Sequence, residues 1–251
     1  MGLVDKMREL PAYGISYIPI TEDIVRDRPR ERETRNPKVL AIGAHPDDIE
    51  LGAAMTIWEL NKSSDIHYII CTNGEASKRG NSTQRVNESI EAARMMKVEG
   101  VFYLNLSDMY LPYEKDLIKR IEYVMSYTGL PDIMFIHSKN ERHQDHITVA
   151  NTGLIAGRDV EEIYMYSTPS QLSAFQPSVF HVYKQEAMER KGEILKIFKS
   201  QINGRDNNGI INIDSVITEA KFWSQRAKTH NEGTQLFTEA FEIGRLVKYS
   251  D

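Results

Sequence analysis

The hydrophobic pattern of the chain changes near residue 38, where short and almost wholly apolar runs begin to alternate with longer segments of helical spacing. Four apolar runs, at 39–45, 66–73, 101–106 and 132–138, have the continuous hydrophobicity of strands that are buried on both faces. A segment in which apolar residues recur every three or four positions follows each run. This alternation predicts an α/β fold, with a Rossmann-like, doubly wound and mostly parallel sheet flanked by helices.

The segments after residue 160 continue the alternation. They contain three predicted strands and two predicted helices: 161–167, 178–183 and 237–246 as strands, and 185–202 and 215–230 as helices. We therefore predict a single domain over residues 38–251. Residues 1–37 form a predicted leader or arm that ends in a run of mixed charge, for which we expect a solvated arm or a subunit contact.

Composition narrows the function classes. The 251 residues are 41% hydrophobic and 27% charged, as in an ordinary globular protein, and the net charge of -5 argues against a nucleic-acid-binding surface. No stretch approaches the roughly 20 consecutive apolar residues of a membrane span. The single cysteine, Cys71, excludes an internal disulfide framework and fits a reducing compartment. We expect a cytoplasmic protein without nucleic-acid partners.

Polar side chains gather at the carboxyl ends of four successive predicted strands, with residues 72–79 after the second strand and Asp108 after the third. The first strand leads into "AHPDDIELG", which places His45, Asp47 and Asp48 in the turn before a helix. The fourth strand leads into "NERHQDH", where His143 and His146 are three residues apart. Because the carboxyl ends of parallel strands meet at one edge of a sheet, we expect these side chains to lie close together.

These residue types favour a divalent metal site. The spacing of three lets both side chains of each pair face one point, and two imidazoles with one carboxylate leave a fourth zinc position for water. A cation would also offset the cost of two adjacent carboxylates in a buried turn. The alternative is that Asp47 and Asp48 cap the following helix and interact with its dipole. Capping explains one aspartate well, but explains two aspartates beside a histidine poorly.

The chain resembles the LmbE/PIG-L-type, zinc-dependent N-acetylglucosaminyl de-N-acetylases from about residue 38 to its C terminus. The segments that carry the similarity are "AHPDDIELGAAMT", "TNGEASKRG", "QRVNESIEAARMM" and "HQDHITVA". The resemblance implies a hydrolase that removes the acetyl group from an N-acetylglucosamine-containing small molecule. It also implies Zn²⁺, or another divalent ion such as Fe²⁺, on His45, Asp48 and His146.

The same resemblance implies roles for five further residues. Asp47 would be the general base that takes a proton from the attacking water. His143 would stabilise the oxyanion and protonate the departing amine, and Asp145 would orient His143. These three are the candidate catalytic residues. Arg85 and Asp108 match residues that contact substrate in relatives, so they are the candidate substrate-binding residues.

Other functions remain open at this point. A deacetylase or amidase of the same fold could act on a thiol conjugate or an antibiotic precursor. A non-catalytic sugar- or nucleotide-binding module is disfavoured because the first turn, "GAHPDDIELG", lacks the G-x-G-x-x-G phosphate cradle. A homo-oligomer is also open. We interpret His137 as structural and Arg79 as a surface residue.

Overall fold

The computed structural model describes residues 7–20, 35–77, 79–111, 115–202, 211–227 and 234–249. The most highly charged part of the predicted leader, residues 21–34, lies outside these ranges. Its role as an arm or subunit contact therefore stays a prediction, as does the boundary at residue 38.

Five parallel strands form the centre of one sheet: β3 (Lys38–Gly43), β4 (Asp65–Thr72), β5 (Gly100–Leu106), β6 (Ile133–His137) and β7 (Glu162–Tyr166). They lie in the order β5-β4-β3-β6-β7. From β3 the chain adds β4 and then β5 on one side. It then crosses back and adds β6 and β7 on the other side of β3. Between β3 and β6 the order reverses, and in open α/β sheets such a reversal opens a crevice at the carboxyl ends of the strands.

Helices cover both faces of this sheet: α1 (Asp48–Leu60), α2 (Ser82–Met95), α3 (Lys115–Thr128), α4 (Gln144–Ala156), α5 (Gln185–Leu195) and α6 (Ile213–Arg226). Helices α1, α2, α5 and α6 pack on one face, and α3 and α4 on the other. The predicted single-domain α/β fold with flanking helices is confirmed. Within the described ranges, none of the helices combines the length and the apolarity that crossing a bilayer demands.

Antiparallel strands extend the sheet at both edges: β1 (Arg8–Glu9) and β2 (Ser16–Pro19) beside β5, and β9 (Phe237–Leu246) and β8 (Val179–Tyr183) beside β7. The sheet is therefore parallel in its centre and mixed overall. Strands β1 and β2 fall inside the segment that we set apart as a leader. They are only two and four residues long, too short to show a period of two, and β5, the strand that joins β2 to the rest of the sheet, is distant in sequence.

The alternation of buried side chains along β3 explains its continuous hydrophobicity. Val39 and Ala41 pack toward the four-helix face, whereas Leu40 and Ile42 pack toward α3 and α4. Side chains of a strand point alternately to opposite faces, so a strand covered on both sides needs apolar residues at every position. The run ends where the chain leaves the sheet, at the turn that carries His45.

Helix α1 is broken in its second turn. Ala53 has non-helical backbone angles (φ -143°, ψ 15°), and Gly52 lies against Tyr166 so closely that a Cβ atom at position 52 would be 2.1 Å from its ring. A helix can break only if the freed backbone groups find other partners. The break separates the first turn of α1, which carries Asp48, from the rest of the helix.

A buried ion pair supplies those partners, and we call Lys191 and Glu239 the α1 clamp. The Glu239 carboxylate accepts the N–H groups of Met55 (3.0 Å) and Thr56 (2.8 Å) beyond the break. Lys191 donates to the carbonyl oxygen of Leu51 before the break (2.7 Å) and to Glu239 (2.7 Å). The clamp thereby joins α1, α5 and β9 behind the site edge of the sheet.

Candidate active site

A cavity of about 890 Å³ opens at the carboxyl ends of the parallel strands, where the strand order reverses. Its walls include residues from the segments after all five strands, such as His45, Ala76, Asp108, His143 and Thr168. This is the edge at which α/β sheets bind ligands. All of the predicted site residues except Asp145 line this cavity, and Arg85 reaches it from helix α2 and not from the end of a strand.

Three predicted metal ligands form a small triangle in this cavity. His45 Nδ1 lies 3.3 Å from His146 Nε2 and 3.4 Å from Asp48 Oδ2, and His146 Nε2 lies 3.4 Å from Asp48 Oδ1. All three residues are buried. Three groups of possible ligands overlap this triangle: one adds His143, one adds His137, and one joins His45 to Asp108 and Asp145.

The donor set fits a divalent metal ion. Zinc–nitrogen and zinc–oxygen bonds of about 2.0–2.2 Å in a tetrahedron place neighbouring ligand atoms about 3.3–3.6 Å apart. The separation between His45 and His146 agrees with that spacing, as do those from each imidazole to its nearer Asp48 oxygen, Oδ2 for His45 and Oδ1 for His146. A carboxylate and two imidazoles leave a coordination position open.

Backbone and imidazole groups hold the Asp48 carboxylate in place. The His45 N–H donates to Asp48 Oδ2 at 2.7 Å, and His137 Nε2 lies 3.1 Å from the same oxygen. Burial opposes ionisation, but the imidazoles of His146 and His137 outweigh it and keep the pKa of Asp48 well below its ordinary value. Burial lowers the pKa of His137 to about 4. His137 is fully buried, and it is also part of the surroundings of a candidate ligand.

Asp47 occupies a strained backbone position at the start of α1. Its φ of 111° and ψ of -22° lie in the left-handed region, which non-glycine residues enter at a cost and mostly at functional sites. Its side chain makes no capping hydrogen bond to the described helix. Burial raises the pKa of Asp47 to about 7, against the opposing charge of Arg85. Helix capping therefore does not account for Asp47.

Arg85 holds Asp47 from the side of α2. Its guanidinium donates to Asp47 Oδ2 (3.2 Å) and to the carbonyl oxygens of Pro46 (2.9 Å) and Gly74 (3.2 Å). The side chain is buried and lies in the cavity wall. The sequence predicted a substrate contact for Arg85, whereas the contacts in the structure go to the turn that carries Asp47. A substrate contact stays a prediction.

Asp108 and Asp145 both face His45. Asp108 Oδ1 lies 3.0 Å from His45 Nε2, and Asp145 Oδ2 lies 3.4 Å from the same nitrogen. Asp108 also accepts the N–H of Ala76, and Asp145 accepts that of Met109. Burial opposes protonation of His45, but these carboxylates and Asp48 raise its pKa well above the ordinary value. The Asp145 carboxylate thus contacts His45, where the sequence predicted His143.

His143 stands at the N-cap of α4, half-buried at the cavity. Its Nδ1 accepts the N–H of Asp145 at 3.3 Å, and its ring centroid is 4.7 Å from those of His45 and His146. Burial and the neighbouring charges of His45 and His146 lower the pKa of His143. The imidazole is therefore held neutral, with its proton on Nε2.

Comparison with known proteins decides the family. A family model described as "PIG-L: GlcNAc-PI de-N-acetylase" matches residues 40–156. The uncharacterized deacetylase YaiS of Escherichia coli is 33% identical over 169 residues, which are 64% of this chain and 90% of that protein. The chain belongs to the PIG-L family.

Two further relatives of this PIG-L chain bear specific names. The diacetylchitobiose deacetylase of Thermococcus kodakarensis is 33% identical over 92 residues, 34% of each protein. The structure of the N,N'-diacetylchitobiose deacetylase of Pyrococcus horikoshii in complex with an inhibitor superimposes with a TM-score of 0.68 at 22% identity, and covers 83% of this chain and 84% of that one. The second likeness shows that the fold is shared.

Several residues of this PIG-L chain join the site without having been singled out from the sequence. Glu141, Thr168 and Ser170 surround the second nitrogen of His146, and Arg142 lines the cavity. Arg79, which we interpreted as a surface residue, also lines it. Glu141 follows β6 and lies next to "RHQDH", so its place after a strand was the signal. Thr168 and Ser170 follow a strand with no distinctive motif.

Proposed function

We propose that this PIG-L protein is a metal-dependent hydrolase that removes the acetyl group from an N-acetylglucosamine-containing small molecule. The observation that carries the proposal is the ligand triangle of His45, Asp48 and His146, with the strained carboxylate of Asp47 beside it in one cavity. Membership of the PIG-L family supports the reaction class. The names of the two chitobiose deacetylases support an N-acetylated sugar as the substrate.

His45, Asp48 and His146 would hold the metal, for which their chemistry favours Zn²⁺ or another divalent ion such as Fe²⁺. When bound, the ion supplies Lewis acidity that activates water and polarises an amide carbonyl. The Nε2–H of His45 donates to Asp108, which leaves Nδ1 free to face the triangle. Because the surrounding carboxylates outweigh burial and raise the pKa of His45, Nδ1 would give up a proton when an ion binds.

Asp47 is the proposed general base. Its carboxylate lies next to the ligand Asp48 in the cavity wall, and Arg85 fixes its orientation through Oδ2. A general base must be held within hydrogen-bond reach of the proton that it removes. The Arg85 contacts to Pro46 and Gly74 hold the turn in place, so that Asp47 can take a proton from the attacking water.

His143 is the proposed donor to the developing oxyanion. Because its Nδ1 accepts the Asp145 N–H, its Nε2 carries the proton and is free to donate. When the amide carbon becomes tetrahedral, negative charge collects on the former carbonyl oxygen and needs such a donor. Removal of one oxyanion donor typically costs about 10²–10³ in rate. His143, whose Nε2 carries a proton, would also protonate the departing amine, as the resemblance implies.

The cavity supports a small-molecule substrate. Its volume of about 890 Å³ lies within the range of about 300–1,000 Å³ of pockets that enclose small ligands. Arg79, Arg142 and Ser77 line it together with the site residues, so polar side chains are available to sugar hydroxyls. Arg85 and Asp108 remain proposed substrate contacts in addition to their contacts with Asp47 and His45.

The test combines metal content with amine release. Protein purified without chelator should contain one equivalent of zinc or iron, and a His45→Ala/His146→Ala variant should contain none. Wild type should release free amine from N,N'-diacetylchitobiose or another N-acetylglucosaminyl compound. Absence of metal after incubation with Zn²⁺ would overturn the proposal. Amine release only from thiol conjugates or acylated antibiotic precursors would keep the hydrolase and change its substrate.

A further inference from the structure

We propose that Glu141 is a positioning residue that fixes the proton of His146 on Nδ1 and thereby presents Nε2 to the metal. The inference rests on the metal site of the proposed function. It adds a device to that site: a carboxylate that never touches the ion and acts through the hydrogen atoms of two hydroxyl groups.

The two nitrogens of His146 face different surroundings. Nε2 points into the ligand triangle, toward His45 and Asp48. Nδ1 lies 3.3 Å from Ser170 Oγ and 3.5 Å from Thr168 Oγ1. A neutral imidazole carries its proton on one nitrogen, and only the other nitrogen has a lone pair for a metal. The direction of the hydroxyl hydrogens therefore decides whether His146 can act as a ligand.

Glu141 sets that direction. Its buried carboxylate accepts from Ser170 Oγ in a very short contact and from Thr168 Oγ1 at 3.2 Å, both through Oε2. A hydroxyl has one hydrogen, so a serine or threonine that donates to Glu141 can only accept from its other neighbours. Toward His146, both hydroxyls are then acceptors. They require a proton on Nδ1 and leave Nε2 with its lone pair.

The arrangement repeats on the other imidazole ligand. There the Asp108 carboxylate accepts from His45 Nε2 directly and leaves Nδ1 to face the triangle. Metal-bound histidines generally donate their second N–H to an acceptor of this kind. Glu141 lies 3.6 Å from His146 Nδ1, beyond a direct hydrogen bond, and the two hydroxyls bridge the gap.

Backbone contacts hold Glu141, Thr168 and Ser170 in fixed positions relative to one another. The segments after β6 and β7 pair through a bridge between Glu141 and Gln171, and Arg142 N–H donates to the Ser170 carbonyl oxygen at 3.0 Å. The Thr168 N–H donates to Glu141 Oε1 at 2.7 Å. This last bond makes a sharp test possible, because it fixes which oxygen of residue 141 must remain an acceptor.

Glu141→Gln keeps the shape of the side chain and reverses the direction of the hydrogen bonds between residue 141 and the two hydroxyl groups. The Thr168 N–H still needs an acceptor at Oε1, so the new NH₂ group takes the place of Oε2 and donates to the hydroxyls. Ser170 can then turn its hydrogen toward His146 Nδ1. We expect the zinc affinity, measured by competition with a chelator, to fall about 10- to 100-fold. Burial opposes protonation of His146, but the charge of Asp48 outweighs it and raises the pKa of His146 to about 9. We therefore also expect the ¹⁵N NMR signals of the metal-free protein above that pH, where His146 is neutral, to show the proton moving to Nε2 in the variant.

Glu242→Gln is the matched control. Glu242 also joins neighbouring loops, since it accepts from Ser138 Oγ (2.6 Å), Asn140 Nδ2 (2.8 Å) and the Gln176 N–H (2.9 Å), with no imidazole among these contacts. Its variant should bind zinc as wild type does. Equal losses in both variants would reduce Glu141 to a loop anchor and overturn the inference. Unchanged affinity and an unchanged His146 tautomer in Glu141→Gln would also overturn it.

The failure of the proposed function would look different. If wild type bound no zinc, the metal site itself would be wrong. The NMR experiment on metal-free protein would still report whether residue 141 controls the tautomer of His146.

Discussion

Helix α1 has a cluster of buried charges at its N-terminus and another at its break, and the two are built in opposite ways. At the break, the α1 clamp brings one cation and one anion together, and backbone groups on both sides of the break satisfy both charges. At the N-terminus, Asp47 and Asp48 are joined by Asp108 and Asp145, and three of these carboxylates contact the imidazoles of His45, His137 and His146 beside an open cavity.

The difference shows how to separate a stabilising charge cluster from a reactive one. In the clamp, the ammonium and the carboxylate are each paired with groups of opposite polarity. Removal of either partner should therefore destabilise the folded protein. At the N-terminus of α1, acceptors are in excess, and one backbone angle is strained at Asp47. An excess of hydrogen-bond acceptors can bind a cation. The strained backbone angle at Asp47 holds its carboxylate in a position that ordinary helix geometry would not give it.

The largest effect should come from removing the proposed base without disturbing the fold. Asp47→Asn keeps the size of the side chain, and asparagine tolerates the left-handed backbone angle. We expect kcat to fall about 10²–10⁴-fold, because a general base is lost. Metal content should match that of wild type, which separates loss of the base from loss of the metal site. A variant with full activity would remove Asp47 from the mechanism.

The clamp should show the converse behaviour. Lys191→Met leaves Glu239 as an unpaired buried carboxylate and frees the Leu51 carbonyl oxygen, so the free energy of unfolding should fall by about 3–5 kcal/mol. Urea denaturation measures it. A Lys191→Met/Glu239→Gln variant should recover part of the loss, since no buried charge is left over. A loss below about 1 kcal/mol in the single variant would show that the pair is not a clamp.

Substitution of Arg85 should have an effect of intermediate size. Lys at this position keeps the charge but cannot serve Asp47, Pro46 and Gly74 at once, because it lacks the planar fork of arginine. If Arg85 positions Asp47, Arg85→Lys should lower kcat about 10- to 100-fold with little change in KM. A raised KM at unchanged kcat would favour the substrate contact that the sequence predicted. Arg94→Lys, in the last turn of the same helix, is the control.

The smallest effect concerns His181, which packs beside the clamp. Burial lowers its pKa, although the charge of Glu239 opposes the shift. The unfolded chain protonates this histidine from about pH 6.5 downward, whereas the folded chain does so only at lower pH. Its contribution to the free energy of unfolding should therefore decline as the pH falls below about 6.5. Denaturation at pH 7 and pH 5 should show a smaller decline in His181→Asn than in wild type, and equal declines would contradict this.

The central fold and the contents of the site edge could be predicted from the sequence because both have local signals. The run at 39–44 is apolar at every position, as strand β3 requires, and the pairs His45/Asp48 and His143/His146 lie in the segments that follow strands. The antiparallel strands β8 and β9 were also predicted, at 178–183 and 237–246, whereas β1 and β2 gave little signal. Strand β2 is four residues long, and only its pairing with β5 and β1 makes it a strand.

The connections within the site could not be predicted, because they join distant segments. Asp145 contacts His45 because β3 and β6 are neighbours in the sheet, a fact of tertiary structure that the spacing within "RHQDH" does not contain. Likewise, Ser170 meets Glu141 only once the segments after β6 and β7 are paired. Sequence spacing identifies which groups reach an edge, whereas the sheet decides which of them touch.

The strand order has a consequence for how the protein holds together. His45 and His146 are 101 residues apart in the chain and become neighbours only when β3 pairs with β6. An ion bound between them would close a loop of that length, as a reversible cross-link in the middle of the sheet. Ligand binding to the folded state alone stabilises it in proportion to the logarithm of ligand concentration. The supply of free metal would then regulate the lifetime of the protein as well as its activity.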